Sequence, residues 1–194
     1  MIEIISSSFL LVAASEMGDK TQLLAFSLAA RFKKPWPIMA GILVATIFNH
    51  ALAAFAGQWF SSFFSHTFFD YVVGLSFILF GFWTLQPDSL TEETRRLQLN
   101  PFWTTTVLFF LAEMGDKTQF ATVALGAHFQ SIGIVTIGTT LGMLVADGLA
   151  VFLGEKLAEK TPMKKMRVFA AGLFFLFGFW SLGQAMKTSG VFPF

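Results

Sequence analysis

Glu16-Met17-Gly18-Asp19-Lys20-Thr21-Gln22 returns unchanged, 97 positions on, as Glu113-Met114-Gly115-Asp116-Lys117-Thr118-Gln119. The same offset continues without a gap through the apolar sequence that follows. Gly41 falls on Gly138, Leu52-Ala53 on Leu149-Ala150, Phe55 and Gly57 on Phe152 and Gly154, and Phe80-Gly81-Phe82-Trp83 on Phe177-Gly178-Phe179-Trp180. Seven consecutive identities at a constant offset mark an internal duplication, and the period of a duplication bounds the architecture.

The surroundings of the motif set the class. The 194 residues are 55% hydrophobic and 16% aromatic, but only 13% charged, with 26 Phe and no Cys. A soluble domain carries about a quarter of its residues as charges. The composition excludes a disordered chain, a disulfide scaffold and a thiolate metal site. A net charge of +1 gives no basic face for nucleic acid. The class that remains is an all-α integral membrane protein with the lipid bilayer as its solvent. A span takes about 20 apolar residues, which caps the count at roughly six or seven. No basic lead-in precedes the first apolar stretch, and Glu3 stands in its place, so that stretch is expected to persist as a helix.

Each half reads as three spans, at 4–30, 36–60 and 68–86, then 101–127, 131–154 and 167–186. The domains expected are a three-helix repeat over 1–86, a cytoplasmic linker over 87–100 and a second three-helix repeat over 101–194. A three-span unit is odd, so two tandem copies enter the membrane in opposite directions. That is the inverted-repeat architecture of many secondary transporters, whose site lies at the repeat interface. Spans 1, 2, 4 and 5 carry the polar residues and are expected to line a site. Spans 3 and 6 are expected to be aromatic scaffold toward lipid.

Orientation follows from the basic residues. Arg31, Lys33, Lys34, Arg95, Arg96, Lys156, Lys160, Lys164, Lys165 and Arg167 fall in loops on one side of a six-span arrangement, and Lys187 alone on the other. The positive-inside rule puts the ten in the cytoplasm and both termini outside.

The four motif acids cannot stand bare. Each ionised acid at mid-bilayer costs about 2.5–3.5 kcal/mol on insertion scales, and four would cost roughly 10–14 kcal/mol. Total stability is typically about 5–15 kcal/mol. The acids are therefore hydrated, paired, protonated or bound to a cation. Glu16 and Asp19 would share a helical face, and Lys20 and Lys117, four residues after Glu16 and Glu113, are spaced for helical ion pairs. Even so, four carboxylates against two ammoniums leave −2, which one divalent cation or two protons would balance. This suggests a site that trades a divalent cation against protons.

Gly18 and Gly115 either let the helix unwind or serve close packing. Thr21, Thr118, Gln22 and Gln119 add neutral oxygens that ligate or only hydrogen-bond. Carboxylate, amide and water ligands suit Mg, Ca and Mn; a thioether from Met17 or Met114 would tilt the choice toward Mn, although a Met in a membrane helix more often only packs. In the second spans, Asn49-His50 faces Ala146-Asp147 across the repeat. Asp147 reads as a proton-relay position, Asn49 as supporting, and His50 as a satisfied interhelical hydrogen bond.

Two copies of E-x-G-D-K-T, each in the first span of a three-span unit, resemble the Gdt-one/MneA family of cation exchangers. The resemblance covers nearly the whole chain, and no motif position departs from it. It implies a cation/proton antiporter, a manganese exporter in its bacterial members, with manganese and calcium supplied by its Golgi relatives. By position it implies Glu16, Asp19, Glu113 and Asp116 as the metal site, completed by Lys20, Thr21, Lys117 and Thr118. The short linker and the start of the chain look like the bacterial form, hence a multi-pass inner-membrane protein. The expected substrates are Mn²⁺ or Ca²⁺ and protons, with no cofactor. With no nucleophile motif or cofactor fingerprint, an enzyme is disfavoured. The competing readings are a Ca²⁺/H⁺ exchanger on the same scaffold and a passive divalent cation channel.

Overall fold

The computed structural model describes residues 1–63, 66–86, 99–153 and 163–189. These form eight helices: α1 (Ile2–Glu16), α2 (Lys20–Phe32), α3 (Pro35–Ser61), α4 (His66–Thr84), α5 (Pro101–Glu113), α6 (Lys117–Phe129), α7 (Ile132–Leu153) and α8 (Met163–Thr188). Most of the 87–100 linker, with Arg95 and Arg96, lies outside the described residues, as do Lys156 and Lys160. Lys164, Lys165 and Arg167, read as loop, belong to the first turns of α8.

The expected first and fourth spans are each two helices. α1 has 15 residues and α2 has 13. At 1.5 Å per residue, neither reaches across about 30 Å of hydrocarbon alone. The break falls on the motif in both repeats: α1 stops at Glu16 and α2 starts at Lys20, while α5 stops at Glu113 and α6 starts at Lys117. Gly18 and Gly115 hold φ of +88° and +75°, a left-handed backbone that no helix continues through. The ends match as well. α2 closes on Lys33 at φ 52° and α6 on Gln130 at φ 51°.

Among the described residues, three helices, Pro35–Ser61, Ile132–Leu153 and Arg167–Thr188, are long and apolar enough to cross a membrane by themselves. Large apolar side chains lie exposed along the long helices, among them Phe48 and Phe55 on α3, Leu79 and Phe82 on α4, and Leu176 and Phe179 on α8. A water-soluble protein rarely tolerates so much contiguous apolar surface, whereas lipid requires it.

Packing repeats with the sequence. The space beside Gly41 on α3 is taken by Phe102 and Thr105 of α5, and that beside Gly138 on α7 by Ile5 and Ser8 of α1. Adding 97 converts one contact into the other, so the repeats are exchanged by an approximate twofold relation. The two apolar cores obey it too. Leu24, Leu28, Ile38 and Leu108 of one have Ala121, Leu125, Val135 and Leu11 of the other as counterparts. The last helices of the two repeats, α4 and α8, pack on each other through Gly74 and Gly178, with Phe77, Phe80, Phe174 and Phe177 clustered beside them. Each keeps one face exposed.

Candidate functional site

Both motifs fold by local rules. Asp19 and Asp116 sit at the N-cap positions of α2 and α6, at the positive end of each helix dipole; the Thr118 N–H donates to the Asp116 carboxylate, whereas the Asp19 carboxylate makes no cap hydrogen bond and meets Lys117. Glu16 and Glu113 are the last residues of α1 and α5, at the ends that favour a cation. The Gly18 N–H donates to Gln22 Oε1 at 2.9 Å, and the Gly115 N–H to Gln119 Oε1 at 2.7 Å. Gln22 Nε2 also donates to the Ala146 carbonyl on α7 at 2.9 Å. The glutamine oxygens, candidates for ligation in the sequence, are thus engaged in holding the two breaks. Thr21 donates to Glu16 Oε2, and Thr118 to Glu113 Oε2 at 3.1 Å. The Thr118 hydroxyl also stands 3.3 Å from Asp116 Oδ2.

Among the described residues, the motif lysines pair across the repeats, in place of the helical pairs expected within each motif. The left-handed glycine separates Glu16 from Lys20 and Glu113 from Lys117, which abolishes the one-turn relation that the pairing needs. For the same reason Glu16 and Asp19 are not on one helical face. The lysines cross to the other repeat instead. Lys20 Nζ lies 2.5 Å from Asp116 Oδ1, and Lys117 Nζ lies 2.9 Å from Asp19 Oδ1. The pairs differ in burial: the side chain of Lys117 is 2% exposed and that of Lys20 is 23%.

All four motif acids are buried. Carboxylate oxygens of Glu16, Asp19 and Asp116 come within 4.8 Å of one another, a spacing that a metal ion can bridge. Glu113 is not in that triad, although it stands in electrostatic range of Glu16, Asp116, Asp147 and Asp19. Asp147, on α7, is fully buried and in range of Glu16, and neither of its oxygens meets a hydrogen-bond partner among the described residues. The second oxygens of Glu16 and Glu113 are in the same position. Asn49 donates to the Phe110 carbonyl at 3.1 Å, which ties α3 to α5 just ahead of the second motif. His50 departs from expectation. It is fully buried, and neither ring nitrogen meets a partner among the described residues.

Five buried carboxyls therefore gather around two ammoniums, with donors and acceptors supplied by both repeats. Residues 4–92 and 101–189 each match the family described as divalent cation/proton antiporter GDT1. The chain belongs to the GDT1 family. It is 42% identical to a Vibrio cholerae protein named "Putative manganese exporter", over 91% of this chain and 88% of that one. A GDT1-like protein of Synechocystis is 28% identical over 91% and 95% of the two chains, and GDT1-like protein 3 of Arabidopsis thaliana is 27% identical over 88% and 67%. No solved structure matches the chain. The family is one of membrane transporters, and its match covers both repeats, including both motifs.

Gly115 offers a direct test of the break. A Cβ there would meet nothing within 4 Å, so Gly115→Ala carries no clash and only the cost of φ +75°. That cost is about 1–2 kcal/mol for a left-handed L-residue. The variant should melt several degrees below the parent in detergent, and an unchanged midpoint would count against a left-handed break.

Proposed function

We propose that the protein exports Mn²⁺ in exchange for protons, with Glu16, Asp19, Glu113 and Asp116 as the cation site between the repeats. The observation that carries this reading is the triad of Glu16, Asp19 and Asp116, three buried carboxylates drawn from both motifs within 4.8 Å. Buried anions so close repel one another unless a cation or protons intervene. Lys20 and Lys117 serve as the resident counter-ions. An arriving divalent cation competes with them for Asp116 and Asp19. Glu113, the acid of the site that lies outside the close triad, and Asp147 then take up and give back protons. Five carboxyls and two ammoniums leave a formal −3, more than one divalent cation neutralises, so proton occupancy is built into the charge balance.

In this reading the chain spans the membrane six times as two inverted repeats, 1–86 and 101–194, joined by a cytoplasmic linker at 87–100. The first and fourth spans are the broken pairs α1–α2 and α5–α6. Both termini lie outside and the basic loops face the cytoplasm. Support for this comes from the twofold packing, the exposed apolar faces and the charge bias of the loops. The name of the Vibrio relative favours manganese. The all-carboxylate composition of the triad favours hard ions, which keeps a Ca²⁺/H⁺ exchanger as the second reading.

Purified protein in vesicles, offered Mn²⁺, Ca²⁺ and Mg²⁺ with and without a pH gradient, separates these readings. Mn²⁺ flux that rises with the gradient and moves protons the other way is the expected result. Preference for Ca²⁺ would select the second reading. Flux indifferent to the gradient would sink exchange and point to a passive channel.

A further inference from the structure

Away from the acids, an apolar crevice of about 330 Å³ opens between α3, α4 and α6. It is more than twice the size of the dry 150 Å³ apolar cavity that admits benzene. Its walls include Phe60, Val72, Ser76, Phe80, Phe120 and Val123. Ser76 is the one polar side chain in the lining among the described residues, and its hydroxyl donates to its own helix at the Val72 carbonyl, at 2.7 Å. Nothing in the walls would hold water, and an unfilled space of this size leaves its lining without dispersion partners. Phe60, Val72 and Phe120 are 55%, 40% and 44% exposed, so the crevice is continuous with the apolar surface that faces hydrocarbon.

The lining differs between the repeats. The positions equivalent to Val72, Ser76 and Val123 hold Phe169, Leu173 and Phe26, all larger. Phe120 and Val73 run the other way, against Leu23 and Ala170. The crevice also borders a helix that serves the site. α6 begins with Lys117 and Thr118, and farther along it is pressed against α3 where the Val123 carbonyl meets Gly57.

We infer that this crevice seats one acyl chain of a bilayer phospholipid, which packs α6 against α3 and α4. The inference rests on the membrane placement of the chain and not on the metal site. With the chain in a bilayer, the apolar surface around the crevice meets lipid, and an acyl chain is an abundant partner that is apolar throughout and narrow enough to enter from the side.

The test is photo-crosslinking of the full chain, reconstituted with a phospholipid that carries a diazirine on its acyl chain, followed by peptide mapping. Adducts are expected on Val73 and Ala124, which line the crevice but are buried from the general lipid face, as well as on exposed Leu79 and Leu176. Ser76→Leu and Val72→Phe install the side chains of the other repeat. Each should lower the Val73 and Ala124 adducts about tenfold, equivalent to about 1.4 kcal/mol of lost contact, while the Leu176 adducts stay constant. Constant Leu176 labelling also reports that the variant is folded in the bilayer. Adducts confined to Leu79 and Leu176 in the parent, or adducts on Val73 that neither variant reduces, would overturn the proposal. Labelling by a diazirine-bearing free fatty acid but not by the phospholipid would overturn the choice of phospholipid. None of these outcomes depends on transport, so they are separable from the fate of the manganese reading.

Discussion

Asp19→Asn should abolish Mn²⁺/H⁺ exchange and also weaken the fold, whereas Asp116→Asn should abolish exchange at a smaller structural cost. Both substitutions remove a carboxylate from the triad, and transport is expected to fall on the order of 100-fold or more, since losing one member of a buried charge pair removes about 2–5 kcal/mol of interaction. The difference lies in the partner. Asp19 receives the ammonium of Lys117, which is 2% exposed, and Asp116 that of Lys20, which is 23% exposed. Breaking a fully buried pair costs about 3–5 kcal/mol, because the remaining charge cannot reach solvent. Lys20 is closer to solvent and can relax. The thermal midpoint of Asp19→Asn should therefore fall below that of Asp116→Asn. The double variant Asp19→Asn/Lys117→Met should recover the midpoint without recovering transport. Full transport by that double variant would refute Asp19 as a member of the cation site, and equal midpoints for the two single variants would refute the asymmetry of the pairs.

The second large effect belongs to the packing of α3 on α6. A Cβ on Gly57 would lie 1.9 Å from the Val123 carbonyl oxygen and 3.0 Å from the Ala127 nitrogen. A Cβ on Gly126 would lie 2.4 Å from the Ala54 carbonyl oxygen. These neighbours are backbone, so no rotamer change relieves the overlap. The two helices must separate, and overpacking of this kind costs about 1–3 kcal/mol for small insertions and more for larger ones. Gly57→Leu is expected to yield no monodisperse protein in detergent, and Gly57→Ala a clearly lowered midpoint. Gly133→Ala is the control, because a Cβ there meets nothing within 4 Å. If Gly57→Ala melts with the parent, the close α3–α6 contact is wrong. Because α6 delivers Lys117 and Thr118 to the acids, partial separation should lower exchange even in variants that still fold.

Much of this protein was legible before any coordinates. The duplication, the membrane class and the inventory of acids come from composition and from one exact offset, neither of which depends on local geometry. Helix ends at 61 and 129 follow from apolar runs and their boundaries to within about two residues, whereas the end at 113 falls inside a span read as continuous. What failed was spacing arithmetic inside the motif. The rule that residues four apart meet on a helix assumes a continuous helix, and Gly18 and Gly115 interrupt it. His50 failed for a different reason, since a buried imidazole in an apolar sequence gives no sign of whether a partner faces it.

By itself, then, the sequence determined that two equal units exist, that each carries Glu, Asp and Lys in a fixed order, and that four carboxylates outnumber two ammoniums in a low-dielectric setting. It could not say which lysine neutralises which acid, because the two motifs are chemically identical and every pairing balances the same charge. Only the tertiary structure decided that. The twofold packing of α1 against α7 and α5 against α3 brings the motifs face to face, so that each lysine reaches an aspartate about half a chain away instead of the glutamate four residues before it. The same packing separates three acids that one ion can bridge from Glu113 and Asp147 beside them. That division has no trace in the repeat, since distances across an interface are set by helices that the motif does not contain.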